Sequence, residues 1–200
     1  KPTTRSTFLW DKGEFMTMLK KCLLGLATFA AFFTFVSTSQ ASEPHYTITT
    51  DATYAPFTFQ DKNNNYVGIE QDMMQAIAKR EGFTYTMKPM SFNSAAQLVS
   101  NSQADGIIAG MSITPERKEV YDFATPYYKT GVAWIVKKNS TIKQLADLKG
   151  KTVALKTGTA ASEYGKSLQS KYGFNVKYFN DTDTMYNDVA VKNSAATFED

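Results

Sequence analysis

The stretch Gly110-Met-Ser-Ile-Thr-Pro-Glu-Arg117 decides how this chain is read. It follows a short apolar strand, Gly106-Ile-Ile-Ala109, and opens a helix. Thr114 suits the N-cap and Pro115 the first helical position. Arg117 then falls in the first turn, where a cation opposes the helix dipole. That side chain is poorly placed to stabilise a helix. It is well placed to clamp an anion at a strand–helix junction, because the guanidinium fork matches a carboxylate in bidentate geometry. On its own the signal also fits an exposed Arg in a surface turn.

Outward from that junction the chain alternates strand and helix. Upstream, Tyr46–Asp51 reads as a strand, and the cluster Asp61-Lys-Asn-Asn-Asn65 as a hairpin tip. From Gly68 the apolar residues Ile69, Met73, Ala76 and Ile77 recur at helical spacing, and that helix stops near Gly82. Phe83–Met90 is expected as a second strand, Phe92–Ser100 as an amphipathic helix and Asp105–Met111 as a third strand. The order β-α-β-α-β predicts a parallel sheet with right-handed crossovers. Downstream, Gly131–Val136 reads as a buried strand. A second unit follows: a short helix closing at Leu145–Leu148, a strand at Thr152–Leu155, a helix at Thr159–Ser170, a strand at Val176–Phe179, a helix at Thr184–Lys192 and a strand at Ala195–Glu199. Asp181 or Asp183 would cap the Thr184 helix. The fold class is therefore α/β with βαβαβ occurring twice, and the boundary is expected near Thr130–Val132.

The first 41 residues read as part of neither unit. Lys20-Lys21 precede an apolar run of 15 residues, Cys22–Val36, and Ser39-Gln40-Ala41 forms a small-residue site. This is the pattern of a secretory signal. The run is short for a membrane-spanning helix, which needs roughly 20 residues. Residues 16–41 are thus expected to be a signal peptide, with 1–15 an atypical segment upstream of it. Residues 42–131 would begin lobe 1 and 132–200 would form an incomplete lobe 2.

Charge and cysteine content narrow the function classes. The leader holds five of the 22 basic and two of the 19 acidic residues, which leaves 17 of each in residues 42–200. No basic stripe suggests nucleic acid or an anionic membrane surface. The single Cys lies in the leader, so the exported part is expected to hold together by its core, without disulfides or thiolate zinc. His45 is the only His, which argues against a His-based triad or metal cluster. No metal or cofactor is expected.

Five ordered motifs then carry a resemblance. They are Asp51-Ala-Thr-Tyr-Ala-Pro-Phe57, Gly68–Ala78, the Gly110–Arg117 junction, Asp122-Phe-Ala-Thr-Pro-Tyr127 and Lys156-Thr-Gly-Thr-Ala160. From about Tyr46 to Asp200 the series resembles the family 3 extracellular solute-binding proteins, which capture polar amino acids for ABC importers. The resemblance implies a two-lobed periplasmic-binding-protein fold of type II, and a chain that continues past Asp200 to complete the first lobe. It implies a membrane permease as partner, possible fusion to it in one chain, and a place in the periplasm or on the outer face of the cell membrane.

The same resemblance assigns roles to residues. Arg117 would clamp the ligand's α-carboxylate, aided by free N–H groups at Gly158-Thr-Ala160. The Gly110 carbonyl, the Ser112 hydroxyl and the Asp200 carboxylate would meet the ammonium. Tyr54 and Phe92 would sandwich the aliphatic stem. Asp51 and Lys156 would read the side chain. Asp51 offers acceptors and Lys156 donors, a match for a carboxamide, so glutamine is the expected ligand and asparagine the next. Glu199 matches a variable pocket position. Gln71 and Glu81 depart from the usual family signature, in a helix that reads as scaffold. Two other functions fit the same fold. One is an enzyme resembling the cyclohexadienyl dehydratases, with Asp51 and Glu199 as an acid–base pair. The other is the ligand-sensing input domain of a receptor.

Overall fold

The computed structural model describes residues 42–200, and residues 43–200 form one compact unit. The expected upstream segment and export signal lie outside the described residues. The elements are β1 (His45–Asp51), β2 (Phe59–Gln60), β3 (Tyr66–Val67), α1 (Ile69–Glu81), β4 (Thr84–Met90), α2 (Phe92–Ser100), β5 (Gly106–Ile107) and α3 (Pro115–Lys118). They continue as β6 (Ala133–Val136), a 3-10 turn (Leu145–Leu148), β7 (Thr152–Lys156), α4 (Ala160–Tyr172), β8 (Asn175–Phe179), α5 (Thr182–Ala190) and β9 (Ala196–Glu199). The molecule is an α/β protein of two lobes, each built on its own sheet.

The first sheet has the order β4-β1-β5 and is parallel throughout, with His45 paired to Thr84 and Ile48 to Gly106. Its helices begin and end where local chemistry dictates. Ser91 caps α2 by accepting from Ser94 N–H, and Gly82 ends α1 in the left-handed conformation. The Asp61 turn joins β2 to β3 as a hairpin, its carboxylate accepting from the N–H groups of Asn63 and Asn65 at 2.8 and 2.9 Å. The strand expected at Asp105–Met111 contracts to Gly106–Ile107. Beyond Ile108, whose N–H still reaches the Thr49 carbonyl at 3.0 Å, the chain turns at Gly110.

The second sheet has the order β6-β9-β7-β8. Strands β7, β8 and β9 run parallel, and β6 lies antiparallel on the edge beside β9. Central β7 is buried on both faces, as a strand covered by helices on both sides should be. Val153 and Leu155 pack with Phe198, Leu148 and Phe174 on the α4 side, and Ala154 packs with Met185 and Val189 on the α5 side. Gly165 of α4 permits the close approach, since a Cβ there would stand 2.7 Å from Leu155 and 2.8 Å from Phe198. The last helix starts at Thr182, two residues earlier than expected, because Asp181 caps it at the Thr184 N–H.

This topology positions the site. Parallel α/β sheets present ligands at the carboxyl ends of their strands. Asp51 ends β1, Lys156 ends β7, and Asp200 directly follows β9. Those three ends come from different sheets and converge. An open groove of about 870 Å³ adjoins this region, lined among others by Met74, Ile77, Val99 and Phe123 and reaching Tyr54, Gly110, Ser112 and Asp200.

Candidate functional site

The cavity between the two sheets is lined by all nine residues singled out in the sequence: Asp51, Tyr54, Phe92, Gly110, Ser112, Arg117, Lys156, Ala160 and Asp200. Ala109, Thr159 and Glu199 line it as well. The cleft is drawn tight, with about 10 Å³ of free volume, room for the centre of one water molecule. Its polar groups meet one another across it.

The expected anion clamp starts from α3. The Thr114 hydroxyl accepts from Arg117 N–H at 3.3 Å, which fixes the first turn. Arg117 Nη1 donates to the Ser112 carbonyl at 2.7 Å, and Nη2 donates to the Gly158 carbonyl of the other lobe at 3.0 Å. The guanidinium lies 5.3 Å from the centre of the Phe92 ring, so that ring serves as its platform. Burial pushes the Arg117 pKa down, and the charge of Asp200 holds it up. Opposite stands the N-terminus of α4, where Thr159 caps by accepting from Ser162 N–H at 3.1 Å and Ala160 opens the helix.

The groups expected to meet an ammonium gather at Asp200. Ser112 Oγ donates to its Oδ2, and the Tyr54 hydroxyl donates to its backbone carbonyl at 2.5 Å. Tyr54 packs flat on Phe57, with ring centres 5.1 Å apart, and covers Gly110. Gly110 has φ +54°, and a Cβ there would lie 2.4 Å from the Tyr54 ring, so only glycine fits. Burial, then the charge of Asp200, drives the Tyr54 hydroxyl pKa far up, so it remains a donor.

The residues expected to read the side chain form a buried charge cluster. Lys156 Nζ donates to Asp51 Oδ2 and, at 2.7 Å, to Thr182 Oγ1. Both members of the ion pair are 2% exposed. Glu199 sits beside them at 8% exposure, and its Oε2 finds no hydrogen-bond partner among the described residues. Burial pushes its carboxyl up to about 7 against the pull of Lys156, with Asp200 and Asp51 adding to the rise. In the sequence Glu199 stands out as a variable pocket position and, with Asp51, as the acid–base pair of the alternative enzyme reading. Strand alternation sets it on the face opposite a following in-strand residue. Strand β9 ends at Glu199, so Asp200 leaves the alternation and both side chains reach the cavity. Among the described residues, no cluster of three or more His, Cys, Asp or Glu is placed to hold a metal, and no helix is long and apolar enough to cross a membrane.

The sequence profile of the bacterial extracellular solute-binding proteins, family 3, matches residues 46–197. The arginine-binding extracellular protein of Bacillus subtilis is 37% identical over 164 residues, 78% of this chain and 63% of that protein. The L-cystine-binding protein of Escherichia coli K12 is 35% identical over 143 residues, 70% of this chain and 53% of that protein. The chain thus spans between about half and two thirds of the length of these curated relatives. A solved structure of an ancestral arginine-binding protein bound to arginine superposes with a TM-score of 0.73 at 35% identity, covering 78% of this chain and 70% of that one. A second structure of an ancestral arginine-binding protein, bound to glutamine, gives 0.72 at 35% identity, covering 78% and 69%.

Proposed function

The chain belongs to the bacterial extracellular solute-binding proteins, family 3, and from that premise we propose that it captures a free polar amino acid outside the cell and delivers it to the permease of an ABC importer. It is a binding protein with no chemistry of its own. The observation that carries this reading is the convergence on one cavity of Arg117 with the α4 N-terminus, Ser112 with Asp200, and Asp51 with Lys156, each set drawn from both lobes. Arg117 with the α4 N-terminus takes the α-carboxylate. The Gly110 carbonyl, Ser112 and Asp200 take the ammonium. Tyr54 and Phe92 hold the stem. No single lobe supplies all of these, so closure completes the site.

The reader favours a distal group rich in N–H donors. Asp51 and Lys156 together suit the carboxamide of glutamine, with asparagine the shorter alternative. Glu199 adds an acceptor that is already free. Lys156 is already engaged by Asp51 and Thr182, so its charge opposes a guanidinium less than its sequence position suggests. Arginine therefore joins glutamine as a candidate, in keeping with the arginine-binding relatives. Glutamate is disfavoured, because its carboxylate would meet both Asp51 and Glu199. Calorimetry of the full chain against the twenty amino acids tests the reading: saturable binding of glutamine or arginine is expected, and no binding of any amino acid would overturn it.

One observation favours a second reading. A buried carboxyl held near 7 beside the Asp51 carboxylate is also what an acid–base pair needs. Elimination from a cyclohexadienyl acid, followed by absorbance, separates the two: turnover lost in Glu199→Gln would make the protein an enzyme.

A further inference from the structure

Among the described residues two buried carboxylates lie outside the ligand site: Asp188, which pairs with Lys177, and Glu70. Glu70, in the first turn of α1, is 0% exposed and belongs to none of the ion pairs found among the described residues. It shares the inward stripe of α1 with Met74 and Ala78, so this face otherwise packs with apolar side chains. A carboxylate buried without a cation is costly, and it persists only where several donors satisfy it.

Those donors come from separate parts of the first lobe. Oε1 accepts from the Gly110 N–H and from the Tyr127 hydroxyl. Oε2 accepts from Thr58 Oγ1 at 3.0 Å, with Thr50 Oγ1 at 3.5 Å. Thr50 immediately precedes Asp51 at the end of β1, and Tyr127 lies on the segment that crosses to the second lobe. Burial, reinforced by the bond to Glu70, drives the Tyr127 pKa far up and keeps its hydroxyl a donor. Gly110 is thus held from two sides, its backbone N–H by Glu70 and its α-carbon by the Tyr54 ring.

We propose that Glu70 is a positioning residue for the ligand's ammonium: it fixes Gly110, whose carbonyl receives that group, and ties Gly110 through Tyr127 to the segment joining the lobes. The inference rests on the ammonium site described under the proposed function. Without the carboxylate the Gly110 N–H loses its buried acceptor. The peptide then turns toward another partner and the following carbonyl turns with it.

The test is a ratio of affinities, read by calorimetry on the full chain. Glutamine is paired with its des-amino analogue glutaramate, and arginine with 5-guanidinopentanoate. The native protein is expected to bind each amino acid more tightly than its partner. Glu70→Met should weaken the amino acids about tenfold or more, the worth of a charged hydrogen bond, while changing the des-amino analogues by less than about twofold. Glu70→Gln keeps one acceptor for Gly110 and should restore most of the ratio. Equal losses on both members of a pair, or no loss on either, would show that Glu70 only supports the fold. If Glu70→Met lacks a cooperative thermal transition, the ratio in Glu70→Asp decides. Its shortened carboxylate cannot reach Thr58 and Gly110 together, so a fallen ratio supports the proposal and an unchanged one overturns it. A native protein that binds both members of each pair equally would overturn the ammonium site itself, and Glu70's role with it.

Discussion

Lys156 and Asp51, 105 residues apart in sequence, form an ion pair whose two side chains are each 2% exposed, one at the end of a strand in each lobe. Breaking a buried pair usually costs about 3–5 kcal/mol, because the remaining charge is stranded. Here the stranded charge has an escape, since separation of the lobes returns it to water. Asp51→Asn is therefore expected to lower stability by no more than about 1 kcal/mol, while the unliganded protein becomes more open in small-angle scattering. A fall in thermal stability matching the full buried-pair cost, with no change in scattering, would mean that the lobes cannot part at this pair.

Arg117→Ala should abolish tight amino-acid binding and leave the fold intact. The guanidinium currently satisfies two backbone carbonyls that water reaches once the cleft opens, so the fold does not depend on it. A bidentate bond to a desolvated carboxylate contributes about 3 kcal/mol or more, which is on the order of a hundredfold in affinity. Arg117→Lys should be nearly as poor, since a point charge cannot reproduce the fork. Near-native affinity in the Ala variant, by calorimetry, would remove Arg117 from the site.

What could be read in advance follows from where physics is local. Thr114-Pro115 marks a helix start through its own side chains, and the placement of Arg117 follows from it. Asp51, Lys156 and Asp200 stand at strand ends, and parallel sheets gather strand ends, so their convergence was implicit in the β-α alternation. The apolar stretch Ile108–Met111 carries the expected third strand four residues past its observed end, because Gly110 turns beneath the Tyr54 ring. Glu70 read as scaffold because its partners, Thr50, Thr58, Gly110 and Tyr127, are distant in sequence. The antiparallel seat of β6 depends on a pairing with β9 that no local signal announces.

Glu199 gives the protein a pH signature whose sign is fixed by the direction of its shift. Its folded carboxyl is raised from the usual 4.5 to about 7, mainly by burial. Below 4.5 folded and unfolded chains are both protonated. Between 4.5 and about 7 only the folded chain keeps the proton, so stability is expected to fall as pH rises through this window and to level off above it. The loss is at most about 3 kcal/mol, and less to the extent that the cleft opens to water. Glu199→Gln should flatten this part of the stability profile. A bound guanidinium favours the ionised carboxylate, so arginine affinity should rise across the same window while glutamine affinity stays level. Melting curves and calorimetry at pH 5, 6, 7 and 8 check both halves. A profile for Glu199→Gln that keeps the native slope would assign the titration elsewhere.

The cleft must open before any amino acid can enter, because about 10 Å³ holds none. The contacts that close it are polar: Lys156 to Asp51, Ser112 to Asp200, the Tyr54 hydroxyl to the Asp200 carbonyl, Arg117 to the Gly158 carbonyl, and Thr182 N–H to Thr53 Oγ1 at 3.1 Å. Each contributes only about 0.5–1.5 kcal/mol net when water competes for the same groups, somewhat more where charge is involved. Open and closed forms should therefore coexist without ligand, and the segment near Thr130–Val132, which carries no regular structure, is proposed as one hinge strand. A ligand that touches both lobes favours closure by its differential contacts alone. The radius of gyration of the full chain is thus expected to fall when saturating glutamine or arginine is added, and to fall less in Arg117→Lys at equal occupancy. An unchanged radius, with binding confirmed in the same sample, would mean that the site is filled without movement of the lobes.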